Sequence, residues 1–251
     1  MKYSIVVPVY NECMNIKPTT EAILKAFKNM GNHLEILYVD DNSPDGTASE
    51  VEQIASKFPQ VKLVQHGKKE GMGAAYRAGY EAALGQFILG IDADLSQSPS
   101  DLVKMIVKLD NGFDMVIGSR YLPQAEMVGK SKLRDIGSRS MNMITRHVLG
   151  IPMTDATHTF RAFKREVFTS VADRINEKGH PSFQIQFTYW ANRQGFRISE
   201  IPIRFEERSE GRGISKLSIK KELMPFAKLV CKLTAQRVSL LKKSDIGNSL
   251  E

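Results

Sequence analysis

Phe87-Ile88-Leu89-Gly90-Ile91-Asp92-Ala93-Asp94 is the stretch on which the fold turns. Four of its first five residues are large and apolar, with no polar alternation. The run is too short for a helix, so it reads as a strand buried on both faces. It stops abruptly on two aspartates one residue apart. Outward from it, strand and helix signals alternate. Upstream, residues 5–9, 35–39 and 61–64 read as strands. Between them, residues 17–30 and 48–58 read as helices, with Gly31 as a stop and Thr47 as a cap. Gly71-Met72-Gly73 opens an alanine-rich helix over residues 74–84. Downstream, residues 102–109 read as a helix and 114–118 as a fifth strand.

Repeated strand–helix–strand units predict an α/β fold, a mostly parallel sheet flanked by helices on both faces. Ligands of such sheets collect beyond the carboxyl ends of the strands. Asp40-Asp41 and Asp92-Ala93-Asp94 lie at two such ends. The second half is less regular. Residues 131–149 read as a basic amphipathic helix, 166–175 and 183–194 as helices, and 198–205 as a strand. Residues 216–251 form a basic, amphipathic, helix-prone tail whose end, from 244, is expected to fray. The predicted organisation is a main domain over 1–215 and this tail over 216–251.

The 251 residues, 42% hydrophobic and 25% charged, suffice for one sizeable domain with a real core. A net charge of +7 suits nucleic acid, an anionic membrane or a phosphorylated small molecule. Aromatics at 8%, with no stacking motif or recognition helix, argue against nucleic acid. Cys13 and Cys231 lie far apart and read as reduced cytosolic thiols, with no zinc or disulfide framework. The histidines form no HExxH pair, and neither a GxSxG elbow nor a GxxxxGK[ST] loop occurs. The N-terminus does not read as a signal peptide, and no stretch approaches the ~18 apolar residues of a membrane span. Any membrane role is therefore expected to be peripheral.

Asp92 and Asp94 at a strand end can converge on magnesium or manganese bridged to substrate phosphates, although aspartates also occur in plain polar turns. Asp40-Asp41 can accept from ribose hydroxyls or a base edge, or serve only the turn that runs to Gly46. Gly71-x-Gly73 favours a tight turn over a phosphate cradle. Basic residues gather in the second half: Arg120, Lys130, Lys132, Arg134, Arg139, Arg161, Arg204, Arg208, Arg212 and Lys216. Arginine forks among them suit phosphate, and a solvated basic surface accounts for any single one.

Five segments in order resemble the family-2, GT-A-fold glycosyltransferases, and more narrowly the dolichol- and polyprenol-phosphate mannose synthases. They are Val7-Pro8-Val9-Tyr10-Asn11-Glu12, Asp40-Asp41-Asn42-Ser43-Pro44-Asp45-Gly46-Thr47, Gly71-Met72-Gly73-Ala74-Ala75-Tyr76, Asp92-Ala93-Asp94-Leu95-Ser96 and Gly118-Ser119-Arg120-Tyr121. The resemblance spans roughly residues 3 to 220. It implies an inverting transfer from a nucleotide sugar, GDP-mannose first and UDP-glucose or UDP-N-acetylglucosamine as alternatives. The implied acceptor is a polyprenyl or dolichyl phosphate, or else a glycan. Pro8, Tyr10, Glu12, Val39 and Asp41 would hold the nucleoside. Asp92, Ala93, Asp94 and Arg120 would hold the rest of the donor. Asp92, Asp94 and Ser96, or Gln97 in its place, would carry a divalent metal, magnesium or manganese. Asp94, Arg120, Arg134 and Ser138 would be catalytic, the last three on the acceptor phosphate. Arg208 and Lys216 would close over the pyrophosphate.

The resemblance also implies work at the cytoplasmic face of a membrane, with basic amphipathic stretches as the contact and room for a membrane partner protein. Three places depart from the family pattern: a two-residue insertion between Arg208 and Lys216, Gln186 where an acid is usual, and Thr157-His158-Thr159-Phe160-Arg161 without its glycine. A non-catalytic nucleotide-sugar sensor is the contrasting expectation, and intact Asp92 and Asp94 weigh against it.

Overall fold

A computed structural model describes residues 1–30, 33–67, 69–129, 132–179, 181–207 and 219–247. The first half runs β1 (Tyr3–Val9), α1 (Cys13–Ala26), β2 (Leu34–Asp40), α2 (Thr47–Lys57), β3 (Val61–Gln65), α3 (Met72–Ala82), β4 (Phe87–Gly90), α4 (Pro99–Asp110) and β5 (Met115–Ser119). The second half runs β6 (Glu126–Val128), α5 (Lys132–Leu149), β7 (Arg161–Lys164), α6 (Arg165–Val171), α7 (Ser182–Arg193), β8 (Ile198–Pro202), β9 (Arg204–Glu206) and α8 (Ile219–Gly247).

Seven strands form one sheet in the order β3-β2-β1-β4-β7-β5-β8, and β6 pairs with β9 apart from it. All pairings in the large sheet are parallel except those of β7, which runs antiparallel to both β4 and β5. Side chains alternate across each strand, and the sheet accordingly divides two cores. Ile5 and Val7 join Ile36, Tyr38, Ile16, Val51, Leu102 and Met105 on one face. Val6 joins Leu37, Tyr76, Tyr80, Phe163, Phe183 and Phe187 on the other. Helix α3 lies close on β1: a Cβ at Gly79 would fall 2.2 Å from Val6 Cγ1.

Several boundaries move from their sequence-based positions for identifiable reasons. Gly46, left-handed at φ 89°, occupies the cap position of α2. Thr47 becomes the first helical residue instead, and its hydroxyl bonds Asp45 and the Glu12 amide. The strand expected over 198–205 divides because β8 follows β5 while β9 pairs with β6. Helix α6 ends at Val171 and passes into a 3₁₀ turn, Ala172–Arg174. Residues 244–247, expected to fray, continue α8. Phe226, Leu229 and Leu233 of α8 are buried in the core under α7, so this part of the tail packs on the main domain. Among the described residues no helix is long and apolar enough to cross a membrane.

Candidate functional site

Val9 pairs with Asp40 across β1 and β2, so the turns after these strands meet at the carboxyl edge of the sheet. Three amides of the first turn bind side chains of the second. Asn11 N donates to Ser43 Oγ (3.0 Å), Glu12 N to Thr47 Oγ1 (3.0 Å) and Cys13 N to Asp45 Oδ2 (3.2 Å). Asn11 and Asn42 adopt φ of 57° and 61°, a left-handed conformation that asparagine tolerates. Of the expected nucleoside residues, Pro8 and Tyr10 are half-buried, and Glu12 accepts from Asn15 Nδ2 at 2.5 Å. Val39 points wholly into the core, which leaves only its backbone at the strand end. Asp41 Oδ1 lies 2.8 Å from His66 Nδ1. Burial raises the Asp41 carboxyl, and the imidazole contact opposes that rise.

Asp92 and Asp94 leave β4 half-buried, with Ala93 buried between them. The Ala93 carbonyl accepts from Thr19 Oγ1 of α1 at 2.5 Å, which pins the turn. Leu95 follows at φ 56°, a strained position for this side chain, and Ser96 N closes the turn onto Asp94 Oδ1 at 3.0 Å. Three donors clasp the Asp92 carboxylate: Tyr76 OH at 2.9 Å, Gln97 Nε2 at 3.0 Å and Thr159 Oγ1 at 3.2 Å. Burial and then the charge of Asp94 push the Asp92 carboxyl upward, and the clasp opposes them. The other arm of Gln97 accepts the Asp92 amide at 3.3 Å, so both of its polar atoms serve Asp92. Among the described residues no three His, Cys, Asp or Glu side chains could enclose a metal by themselves. Two carboxylates one residue apart at a strand end fit magnesium or manganese, which complete their shells with phosphate oxygens and water.

Arg120, just beyond β5, forms a bidentate pair with the fully buried Asp155: Nε to Oδ2 at 2.7 Å and Nη2 to Oδ1 at 2.8 Å. Burial alone would raise the Asp155 carboxyl, but the guanidinium holds it far below the usual carboxylate range. Glu200 of β8 secures this loop by accepting the amides of Thr154 and Asp155, each at 2.9 Å. Arg120 Nη2 also reaches Ser138 Oγ at 3.3 Å, and Arg120 Nη1 stays open among the described residues. One helical turn before Ser138 on α5, Arg134 pairs with Glu207. Asn142, one turn after, donates to Asp155 Oδ1 and Thr157 Oγ1.

The two halves are adjacent. Thr157 bonds Asp155, and Thr159, two residues on, bonds Asp92. Two residues span at most about 7 Å of chain. Arg161, first residue of β7, holds this connector from behind by donating to the carbonyls of Ala156 and His158.

The basic residues do not share one pocket. Arg161 is buried in the central sheet, Arg139 pairs with Asp135 on the outer face of α5, and Arg204 is exposed beside Glu126 and Glu206. Gly73 serves close packing, as a Cβ there would meet Phe183 Cβ at 2.5 Å. Gln186 latches the segment before α7 by accepting the amides of Asn176 and Glu177. Arg208, Arg212 and Lys216 lie outside the described residues. Asp155, Asn142, Thr159 and His66 escaped the reading of the sequence. Their partners lie between 13 and 67 positions away, and no local pattern marks them.

A mostly parallel sheet bearing a paired-acid turn at its carboxyl edge, between the Asp41 turn and a half-buried arginine, has the architecture of the GT-A class of nucleotide-sugar transferases. The sequence profile of glycosyl transferase family 2 matches residues 4–171, and the chain belongs to that family of glycosyltransferases. It is 34% identical over 219 residues to the polyprenol monophosphomannose synthase of Mycolicibacterium smegmatis, covering 85% of this chain and 80% of that protein. It is 33% identical over 222 residues to the undecaprenyl-phosphate mannosyltransferase of Micrococcus luteus, covering 87% and 88%. Among solved structures, glucosyl-3-phosphoglycerate synthase of Mycobacterium tuberculosis, with Mn2+, UDP and phosphoglyceric acid, superposes with a TM-score of 0.65. That match has 19% identity and covers 94% of this chain and 78% of the other. Mannosyl-3-phosphoglycerate synthase of Rubrobacter xylanophilus superposes with a TM-score of 0.64 at 16% identity, covering 97% and 75%.

Proposed function

We propose that this chain moves mannose, with inversion, from GDP-mannose to the phosphate of a polyprenyl lipid at the cytoplasmic face of a membrane. The observation that carries this reading is the Arg120–Asp155–Ser138 cluster beside the Asp92–Asp94 turn. A hydroxyl acceptor calls for a general base, whereas a phosphate monoester is already anionic near neutral pH and calls for cations. The names of the two curated relatives support the same acceptor and sugar.

In this reading Pro8, Tyr10, Glu12 and Asp41 hold the nucleoside, while Arg120 and Ser138 orient the acceptor oxygen toward the anomeric carbon. Asp155 and Asn142 keep the Arg120 fork in place, so orientation is set before the lipid arrives. Asp92, Asp94 and Ser96 would hold a divalent cation, and Gln97 aligns Asp92. The Mn2+ in the solved phosphoglycerate synthase supports that choice. Such a cation, when bound, supplies the positive charge that stabilises the departing nucleoside diphosphate.

The test is transfer of label from GDP-mannose, UDP-glucose or UDP-N-acetylglucosamine into lipid extract with polyprenyl phosphate as acceptor. Label from GDP-mannose is expected to predominate. Asp94→Ala is expected to lower transfer by about 10²-fold or more, the scale for losing a group that stabilises transition-state charge. Wild-type-like transfer by that variant, or no lipid product from any donor, refutes the reading.

A further inference from the structure

The third strand end adds a residue to the donor side of the site. β3 pairs with β2 as far as Gln65 opposite Asp40, and His66 N then donates to Asp40 O at 2.9 Å. That bond extends the ladder by one residue and brings the imidazole against the Asp40-Asp41 turn. His66 Nδ1 lies 2.8 Å from Asp41 Oδ1. A carboxylate accepts, so Nδ1 carries the proton. The Asp41 side chain is 7% exposed and that of His66 is 22% exposed, so the pair is sheltered with the imidazole partly open to solvent. Among the described residues Asp41 Oδ2 has no partner. Three residues on, the Lys69 ammonium sits 3.3 Å from the centre of the Tyr10 ring. The segment after β3 thus forms a third wall around residues that β1 and β2 supply.

We propose that His66 is a positioning residue of the nucleoside pocket: its Nδ1–H fixes Asp41 Oδ1, so that Oδ2 faces the donor's ribose or base as an acceptor. This rests on the reading of the site as a nucleotide-sugar pocket. An aspartate held by one hydrogen bond on one oxygen presents the other in a single direction. Without that bond the carboxylate rotates, and part of the nucleotide's binding free energy goes into ordering it. His66 touches no reacting atom, so its effect belongs to binding and not to the transfer step.

The test uses the intact chain and measures GDP and UDP binding with Mn2+ by calorimetry, alongside steady-state transfer. His66→Phe keeps a flat ring and loses the donor. It is expected to weaken the dissociation constant of the preferred nucleotide about tenfold, the scale of one lost hydrogen bond to a charged group. Its kcat at saturating donor is expected to stay within about twofold, because uniform binding is lost and transition-state stabilisation is not. His66→Asn restores a donor at similar reach, and its affinity is expected to recover to within about threefold of wild type. Asp41→Asn/His66→Phe is expected to bind no more weakly than Asp41→Asn, since His66 acts through Asp41. His66→Leu, which also lacks a side-chain donor, replaces His66→Phe if the latter lacks a cooperative thermal transition. Unchanged nucleotide affinity in either variant, a fall in kcat with affinity retained, or additive losses in the double variant overturns the proposal. If the wild-type chain binds neither nucleotide, the donor-pocket reading itself falls, and this inference falls with it.

Discussion

At Asp92, one carboxylate collects donors from Tyr76, Gln97 and Thr159, three separate parts of the chain. The clasp fixes the orientation of a partly buried acid beside Asp94 and opposes the upward push of burial on its pKa. Thr159→Val preserves the β-branched shape and removes only the hydroxyl. The apparent Mn2+ affinity is expected to fall about tenfold, the loss of one hydrogen bond to a charge, with GDP affinity measured without metal unchanged. Titrating transfer activity with Mn2+ checks this, and overlapping titration curves would discard the clasp as functional. The acid pair was legible in the sequence because both members sit in one short turn. The clasp was not, since Tyr76 is 16 positions away and Thr159 is 67. Next to Thr159, His158 is buried with Nδ1 on the Gly118 carbonyl at 2.7 Å, and burial, followed by the Arg120 charge, lowers its pKa to about 3. Between pH 3 and 6.5 the unfolded chain therefore binds a proton that the folded chain refuses. Stability then rises with pH at about 1.4 kcal/mol per unit, and acidifying from pH 7 to 5 costs about 2 kcal/mol through this one group. Urea unfolding at both pH values is expected to show a shallower pH dependence for His158→Gln, by about one proton. Equal dependences would mean that other groups set the acid sensitivity.

Helix α5 works on two faces. Arg134, Ser138, Asn142, Thr145 and Leu149 share the inner face, which runs from the Arg120–Asp155 pair into the core. Lys132, Ile136, Arg139, Met143 and Arg146 share the outer one, where Ile136 is 62% and Met143 59% exposed. Apolar residues alternating with cations on an exposed helix suit an anionic lipid surface. Ile136→Asp/Met143→Asp is expected to weaken binding to anionic phospholipid vesicles at least about tenfold, given ~1.5 kcal/mol or more for each apolar side chain withdrawn from water. GDP affinity is expected to stay the same, and cosedimentation with vesicles checks the difference. Undiminished cosedimentation would assign membrane contact to another surface. The amphipathic period of this helix was readable from sequence, but not which cations face the site and which face outward. Strand β7 was not readable at all. Its four residues, Arg-Ala-Phe-Lys, carry charges at both ends and resemble a surface turn. Arg161 nevertheless fits the middle of the sheet because carbonyls and the Thr188 hydroxyl accept from both of its Nη groups, and burial lowers its pKa to about 10. A buried arginine held by backbone oxygens has no signature in hydrophobic periodicity.

Across the whole molecule, the sheet order sorts the chemistry. In the proposed function β3, β2 and β1 would border the nucleoside, β4 ends in the acids that would hold the metal, and β7, β5 and α5 would border the acceptor. The alternation of strands and helices announced the α/β class, whereas this order depends on β7 entering between β4 and β5 from a distant segment. Donor binding in this arrangement ties together loops that leave four strands, so it should register as global stability. A ligand at 100 times its dissociation constant that binds only the folded chain stabilises it by about 2.7 kcal/mol. At this chain length each kcal/mol raises the melting temperature by ~2–4 °C, so GDP with Mn2+ is expected to add about 5–10 °C. Chelating the metal while GDP remains should remove part of that rise, because the pyrophosphate then meets Asp92 and Asp94 without a cation between like charges. In Asp94→Ala the GDP-only shift should persist and the Mn2+ increment should vanish, since the nucleoside contacts lie on other strands. Thermal melts of the two proteins with GDP, with Mn2+, with both and with chelator separate these terms. A Mn2+ increment that survives in Asp94→Ala would move the cation away from the β4 turn, and the charge argument for transfer would have to be rebuilt around other acids.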